Sequence, residues 1–313
     1  MFWRRLPVAH GQIGGQIDRK VRAAVLINPG AGAAAEGVQV DKLESLFAAQ
    51  GINAEARVLS NGDLGKAVEE ALARKPDAVV VAGGDGTINA VASRLAGTGI
   101  PLGVLPMGTY NHFAKDLGLP LEIGDAIKLI RPERIKAVDV GEVNGHVFIN
   151  NSSLGAYPRM VEEREQTLRK FSLPKRFANF VAFLKVLKRW PLINVKLDID
   201  GQRIVRTTPF VFVGNNEYTM NLFKVSLRSG LDRGALWIYT VKTTSFIGLL
   251  RLFWRSLINR LEQSRNFESY AASEFKVVPH RHHVRVSLDG EVVRMQTPLH
   301  YRIRPRDLRV FAP

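Results

Sequence analysis

The segment Ala78–Asn89 constrains this chain more than any other. It reads Ala-Val-Val-Val-Ala-Gly-Gly-Asp-Gly-Thr-Ile-Asn. A short apolar strand, Ala78–Ala82, runs into Gly83-Gly84-Asp85-Gly86-Thr87, and Ile88–Leu95 then follows with helical spacing. An unbroken apolar strand is buried on both faces, the mark of a parallel sheet covered by helices. Glycines in such a turn permit φ > 0 and remove the Cβ, so backbone N–H groups can close on phosphate oxygens at a helix N-terminus. Asp85 is out of place in a bare phosphate cradle, because it repels phosphate. It fits as a holder of Mg²⁺, directly or through water, or as the N-cap of an ordinary strand-to-helix turn.

Around this segment the first half alternates between the two periods. Val21–Asn28, Asn53–Leu59 and Leu102–Leu105 read as strands. Val38–Gln50, Leu64–Arg74, Tyr110–Leu117 and Ile123–Ile130 read as helices. The expectation is an α/β domain with a parallel sheet over residues 21–140. The second half changes character. Val138–Val143, His146–Ser152, Ile193–Asp200, Arg203–Val213, Leu236–Val241, Phe275–Val278, Val284–Leu288 and Glu291–Met295 read as strands. The pairs Asp200-Gly201 and Asp289-Gly290 favour antiparallel hairpins. This predicts an antiparallel β-sandwich over 141–303, interrupted by helical inserts, with 304–313 returning to the first domain through Leu308–Phe311.

Two more loops follow strands. Asn28-Pro29-Gly30-Ala31-Gly32 comes after the first one, and Gly30, Gly32 and Ala35 also match a GxGxxA dinucleotide fingerprint, with Glu55 near the place of a ribose-binding acid. That alternative, an NAD(H)-linked oxidoreductase, leaves Pro29 and the loop at Asp85 without a purpose. Pro106-Met107-Gly108-Thr109-Tyr110-Asn111-His112-Phe113 follows Leu102–Leu105. Strand-end loops at the carboxyl edge of one parallel sheet converge on a crevice, which points to a nucleotide site.

Composition narrows the partners. Cysteine is absent from all 313 residues, which rules out disulfides and thiolate metal sites. The first 20 residues carry no apolar stretch of signal-peptide length, and no apolar run is long enough to predict a transmembrane helix. The net charge of +15 falls entirely in residues 159–313, since residues 1–158 hold 16 basic and 16 acidic side chains. That half is expected to meet something anionic, a membrane leaflet or nucleic acid, against the plainer reading of a basic, solvated surface. No helix-turn-helix, zinc-finger or RNP pattern supports nucleic acid. Apolar stripes at Phe177, Phe180, Val181, Leu184 and Leu187, and at Phe246, Leu249, Leu250, Phe253, Leu257, Ile258 and Leu261, fit either an interfacial helix or ordinary core. His280-Arg281-His282-His283 is a poor metal site, because strand alternation and the intervening Arg281 oppose it.

Taken together, Asn28–Gly32, Gly83–Thr87 with Asn89, Gly108-Thr109 with Asn111, Asp139-Val140-Gly141 and Leu288-Asp289-Gly290-Glu291 resemble the diacylglycerol kinase catalytic domain family. The likeness is greater to its soluble bacterial lipid kinases. Sphingosine and ceramide kinases are similar across these motifs, and NAD kinase shares the Gly-Gly-Asp-Gly loop. The resemblance implies an ATP- and Mg²⁺-dependent kinase acting on a hydroxyl of diacylglycerol or a similar membrane lipid, cytoplasmic and peripheral at the inner face of the membrane. It implies ATP binding by Asn28, Pro29, Gly30, Gly32, Gly83, Gly84, Asp85, Gly86, Thr87, Asn89, Gly108, Thr109 and Asn111. It also implies Asp289 as general base and Asp85, Asp139 and Glu291 around catalytic Mg²⁺. On spacing alone, Asp289 reads first as a hairpin-turn aspartate, and the resemblance is what favours the base. Two departures stand out. His112 replaces a carboxylate of the family loop, which leaves a catalytically silent lipid- or nucleotide-binding homologue as a further alternative. Arg233 and Trp237 stand near Asp232 where relatives carry acids, so a structural metal site there is expected to be lost.

Overall fold

The computed structural model describes residues 4–5, 21–29, 40–60, 62–156, 192–218, 230–242 and 266–313, with 158, 228 and 248 as single positions. The chain divides into two compact units, residues 1–138 with 306–313, and residues 139–305.

In the first unit the strands are β1 (Arg4–Arg5), β2 (Arg22–Ile27), β3 (Asn53–Val58), β4 (Ala78–Gly83) and β5 (Leu102–Pro106). They lie in the order β1-β3-β2-β4-β5. The pairs β3–β2, β2–β4 and β4–β5 are parallel, and β1 is antiparallel to β3. Val310 lies parallel to Leu102, so residues after Arg306 extend this sheet beyond β5. Among the described residues five helices accompany the strands: α1 (Val40–Ala49), α2 (Leu64–Ala73), α3 (Asp85–Leu95), and, both after β5, α4 (His112–Asp116) and α5 (Ile123–Lys128). Every residue of β4 is buried, as its unbroken apolar run predicts. At about 1.5–3 kcal/mol for each buried valine-sized side chain, Val79, Val80 and Val81 anchor the sheet that carries the loops.

The second unit is an antiparallel sandwich. Its strands are β6 (Ile135–Val143, entered from the first unit), β7 (His146–Phe148), β8 (Asn151–Gly155), β9 (Ile193–Ile199), β10 (Gln202–Thr208), β11 (Phe210–Asn215), β12 (Leu236–Val241), β13 (Phe267–Ala272), β14 (Glu274–Pro279), β15 (His283–Leu288), β16 (Glu291–Gln296) and β17 (Leu299–Phe311). One sheet runs β17-β14-β9-β10, and the other runs β13-β12-β11-β8-β15-β16. Leu197, Phe275, Val277 and Tyr301 from the first share a core with Leu154, Val211, Ile238 and Val286 from the second. Asp200-Gly201 and Asp289-Gly290 turn the expected hairpins with φ of 50° and 76°, and of 49° and 92°. Both central residues are left-handed, the geometry that matches strand twist.

Four strand readings needed correction. His146–Ser152 is two strands, because the N–H groups of Ile149 and Asn150 leave the ladder for the Asp289 carboxylate. Arg203–Val213 breaks at Pro209, which has no N–H to donate. The strand Phe267–Ala272 escaped the pattern, since it shows no regular alternation and only Ala272 of it is buried. The last strand is far longer than Leu308–Phe311: it begins at Leu299, pairing with β14 there, and reaches β5 at Val310. Both apolar stripes, over 177–187 and 246–261, lie outside the described residues. Among those described, no helix is long and apolar enough to cross a membrane.

Candidate active site

Three strand-end loops of the first unit are tied together by side chains. Asn28, at the end of β2, donates from Nδ2 to Thr87 Oγ1 at 2.7 Å. Asp85, in the first turn of α3, accepts the N–H of Asn111 at 2.9 Å and that of His112 at 2.7 Å. Asn111 has φ 52° and closes its own turn, its side chain accepting from Gly108 N and donating to Gly108 O. A Cβ on Gly108 would stand 2.8 Å from Gly84 Cα, and one on Gly83 would stand 2.9 Å from Thr87 Cβ. These glycines therefore serve close approach. None of Gly83, Gly84, Gly86 or Gly108 has a positive φ, so it is the missing Cβ and not left-handed freedom that these loops use.

Asp85 is not the N-cap of α3; Gly84 takes that position, with no side-chain cap bond. Its charge is turned onto the two amides of the neighbouring loop and away from the N–H groups that open α3. Those first amides have no acceptor within the helix, and the helix dipole adds a favourable partial charge for an anion. The space at Gly86 is open, so phosphate can approach the backbone there. The cradle thus fits a nucleotide phosphate. Pro29 and Thr109 are exposed, while Thr87 and Asn89 are buried. Gly30, Gly32 and Ala35 lie outside the described residues. Glu55, the acid of the dinucleotide alternative, is ion-paired with Arg74 at 2.7 Å. The imidazole of His112 stacks on Tyr110, with ring centroids 5.5 Å apart.

In the second unit, Asp289 sits in the β15–β16 turn. Its Oδ2 accepts the N–H of Ile149 at 2.8 Å, and its Oδ1 accepts those of Asn150 at 2.8 Å and Asn151 at 2.9 Å. Its own N–H donates to Asn151 O at 2.9 Å. Desolvation of the carboxyl outweighs these bonds and the nearby Arg228 charge, and pushes its pKa up to about 6. The residue itself still reaches the surface in part.

Arg228 is the residue that sequence reasoning missed. It is buried, and donates from Nη1 to Ile149 O at 2.6 Å and from Nη2 to Asn150 Oδ1 at 3.0 Å. Asn215 also donates to Ile149 O, at 2.9 Å. The segment gripped by Asp289 through its N–H groups is thus gripped by Arg228 and Asn215 through its oxygens. A lone arginine in an otherwise unpatterned stretch carries no signal of this role.

The acids implied for Mg²⁺ fall in both units, Asp85 in the first and Asp139 and Glu291 in the second. Asp139 is buried and accepts the N–H of Gly234 at 2.7 Å, fastening the loop that contains Asp232. Glu291 is exposed at the start of β16, and Arg233 pairs with Glu217 at 3.8 Å. Among the described residues no group of three acids or histidines could hold a metal ion.

With this geometry in view, comparison with known proteins is direct. Residues 22–143 match the diacylglycerol kinase catalytic domain, and residues 157–312 match the YegS C-terminal NAD kinase beta sandwich-like domain. The chain thus carries a diacylglycerol kinase catalytic domain over residues 22–143, followed by the YegS-type C-terminal domain. A Staphylococcus haemolyticus protein named diacylglycerol kinase is 32% identical over 143 residues, covering 45% of this chain and 43% of that protein. The chain spans about half the length of the first curated relatives it matches. A Bacillus anthracis structure described as a candidate diacylglycerol kinase superposes with a TM-score of 0.72 at 25% identity, covering 94% of this chain and 98% of that one. Yeast NADH kinase complexed with NADH shares the fold, with a TM-score of 0.52 at 12% identity over 95% of this chain and 84% of that one.

Proposed function

We propose that this chain transfers the terminal phosphoryl group of ATP to a hydroxyl of a membrane lipid. Diacylglycerol is the first acceptor to test, from the names of its relatives. Residues 21–140 with 304–313 handle the nucleotide, and residues 141–303 handle the lipid. The hydroxyl oxygen bonds to the terminal phosphorus, the bond from that phosphorus to the bridging oxygen breaks, and ADP leaves. The hydroxyl proton passes to Asp289.

The observation that carries this reading is the state of Asp289. A carboxylate with a pKa near 6 is ionised at neutral pH yet basic enough to accept a proton in the transition state. Three backbone N–H groups fix its direction. The nucleotide phosphates lie at the α3 N-terminus, over Gly84 and Gly86. Mg²⁺ bound with ATP would supply charge neutralisation to the phosphates as transfer proceeds. The basic second half draws the protein to an anionic leaflet, where the lipid acceptor resides.

The test is transfer of labelled phosphate from ATP to diacylglycerol and to total membrane lipid. Asp289→Asn should reduce transfer by about 10²–10⁴-fold, the usual share of a general base. Survival of full transfer in that variant removes Asp289 from the chemistry. Lipid or nucleotide binding with no transfer by the unaltered chain supports the silent homologue instead.

A further inference from the structure

We infer that the hydroxyls of Ser153 and Ser287 form a second recognition point for the acceptor, beside Asp289, for an oxygen-bearing group next to the reacting hydroxyl; this rests on the lipid-kinase reading of Asp289. Ser153 and Ser287 are direct partners in the β8–β15 ladder. Both are fully buried, and neither Oγ has a hydrogen-bond partner. The Oδ1 of Asn151 is likewise buried and unmatched. A buried hydroxyl left without a partner costs about 1–3 kcal/mol, so three such atoms close together call for a ligand.

Strand alternation separates these groups from the core. Ser152 faces the other way and bonds Tyr301 across the interior at 2.9 Å. Ser153 and Asn151 share the opposite face. The same cross-strand row continues from Ser153 to Phe212 and from Phe212 to Tyr239. Tyr239 meets Trp237 at 6.3 Å and Phe267 at 5.8 Å, and Phe212 meets Tyr218 at 5.6 Å. This side of the sheet therefore grades from hydroxyls to aromatic rings, as an amphiphile grades from polar end to chain. Asp289 follows Ser287 by two residues, just past the end of β15, about 7 Å at the strand rise. The matching ligand carries a second oxygen group, an ester carbonyl or a hydroxyl, within that reach of its acceptor hydroxyl. A serine hydroxyl donates to the first or bonds either way to the second.

The test uses the full chain, with a 1,2-diacylglycerol bearing brominated acyl chains in neutral detergent micelles, read as quenching of tryptophan fluorescence. A Trp237→Phe comparison isolates the signal from this face. The Ser153→Ala/Ser287→Ala double variant should bind the probe about tenfold or more weakly, as two lost hydrogen bonds predict. A brominated long-chain alcohol with a single hydroxyl should bind both proteins alike. The lipid-free double variant should melt higher than the unaltered chain, because two unmet hydroxyls are gone. A lower melting temperature makes the hydroxyls structural and overturns the inference. Equal affinity for diacylglycerol, or no quenching in the unaltered chain, also overturns it. If binding behaves as expected but no phosphate is transferred, the kinase reading falls and this recognition point stands.

Discussion

Arg228 donates to Asn150 Oδ1 at 3.0 Å, so a buried cation holds the side chain of a residue whose N–H holds Asp289. The Arg228 charge lowers the Asp289 pKa against the stronger upward pull of desolvation. Arg228→Met should therefore move the acid limb of the rate-against-pH profile upward from about 6. Activity at pH 6 should drop about fivefold, roughly one pKa unit lost from a nearby charge, with nearly full recovery at pH 8. Arg228→Lys should restore the limb. A limb that stays put in Arg228→Met removes the electrostatic role.

Stability should carry the same signature with a definite sign. The folded pKa of Asp289 lies at about 6, above the ordinary 3.8. The folded state therefore binds the extra proton between these values, and stability falls as pH rises through that window. The full effect is on the order of 3 kcal/mol, at 1.36 kcal/mol for each pH unit. Urea unfolding of the unaltered chain and of Asp289→Asn from pH 4 to 8 should show the unaltered chain losing ground to the variant as pH rises. Parallel curves would contradict the raised pKa.

Gly108 and Gly86 should respond differently to alanine. At Gly108 the new Cβ meets the Gly84 backbone at 2.8 Å, and backbone cannot swing aside. Gly108→Ala should cost about 1–3 kcal/mol of stability and abolish ATP binding. At Gly86 the space is open and the position is inside α3. Gly86→Ala should leave stability equal or raise it by up to about 1 kcal/mol. ATP affinity should still fall, because the methyl occupies the phosphate approach. Thermal melts and ATP titrations check both.

Asp85 and His112 separate in the same way. Asp85 works through its carboxylate, whereas His112 serves it through a backbone N–H that any residue other than proline supplies. Asp85→Asn turns one acceptor into a donor facing an amide, and should cost about 1–3 kcal/mol. His112→Ala keeps the Asp85 bond, loses only the stack on Tyr110, and should shift stability by less than about 1 kcal/mol. Chemical unfolding of the two variants decides it.

Attraction to anionic lipid can be probed on the β9–β10–β14 face. Lys196 lies between Val205 and Val278 in the ladder, and these valines are 60% and 38% exposed. Lys276 is exposed two residues from Val278 on the same face. Lys196→Glu with Lys276→Glu should weaken sedimentation with phosphatidylserine-containing vesicles by tenfold or more, at roughly 1 kcal/mol per lysine removed. Added salt should weaken the unaltered chain in the same direction. Binding indifferent to both would deny this face a role.

The α/β class was legible because Ala78–Gly83 carries its own evidence: an unbroken apolar run, then glycines, then helical spacing. The hairpins at Asp200 and Asp289 were legible for the same local reason, a residue pair that accepts left-handed backbone. What escaped depends on distant partners. No local pattern tells that the ladder breaks at Ile149, since the acceptor that takes its N–H stands 140 residues later. The strand Phe267–Ala272 is fastened partly by charge. Arg206 and Lys242 hold Glu268 down to about 2 against the upward pull of desolvation. Ser153 and Ser287 are unremarkable letters until strand register sets them side by side.

The strand Leu299–Phe311 serves both units, with Leu299 beside Val277 in the sandwich and Val310 beside Leu102 in the parallel sheet. The parallel sheet cannot be completed beyond β5 until Val310, more than 200 residues after Leu102, has been made. Until then the outer edge of β5 is an open row of donors and acceptors, the kind of edge that recruits strands from other chains. Synthesis of this protein therefore contains an interval in which the α/β unit is built but unsealed, and its safe passage depends on how quickly Leu308–Phe311 reaches that edge.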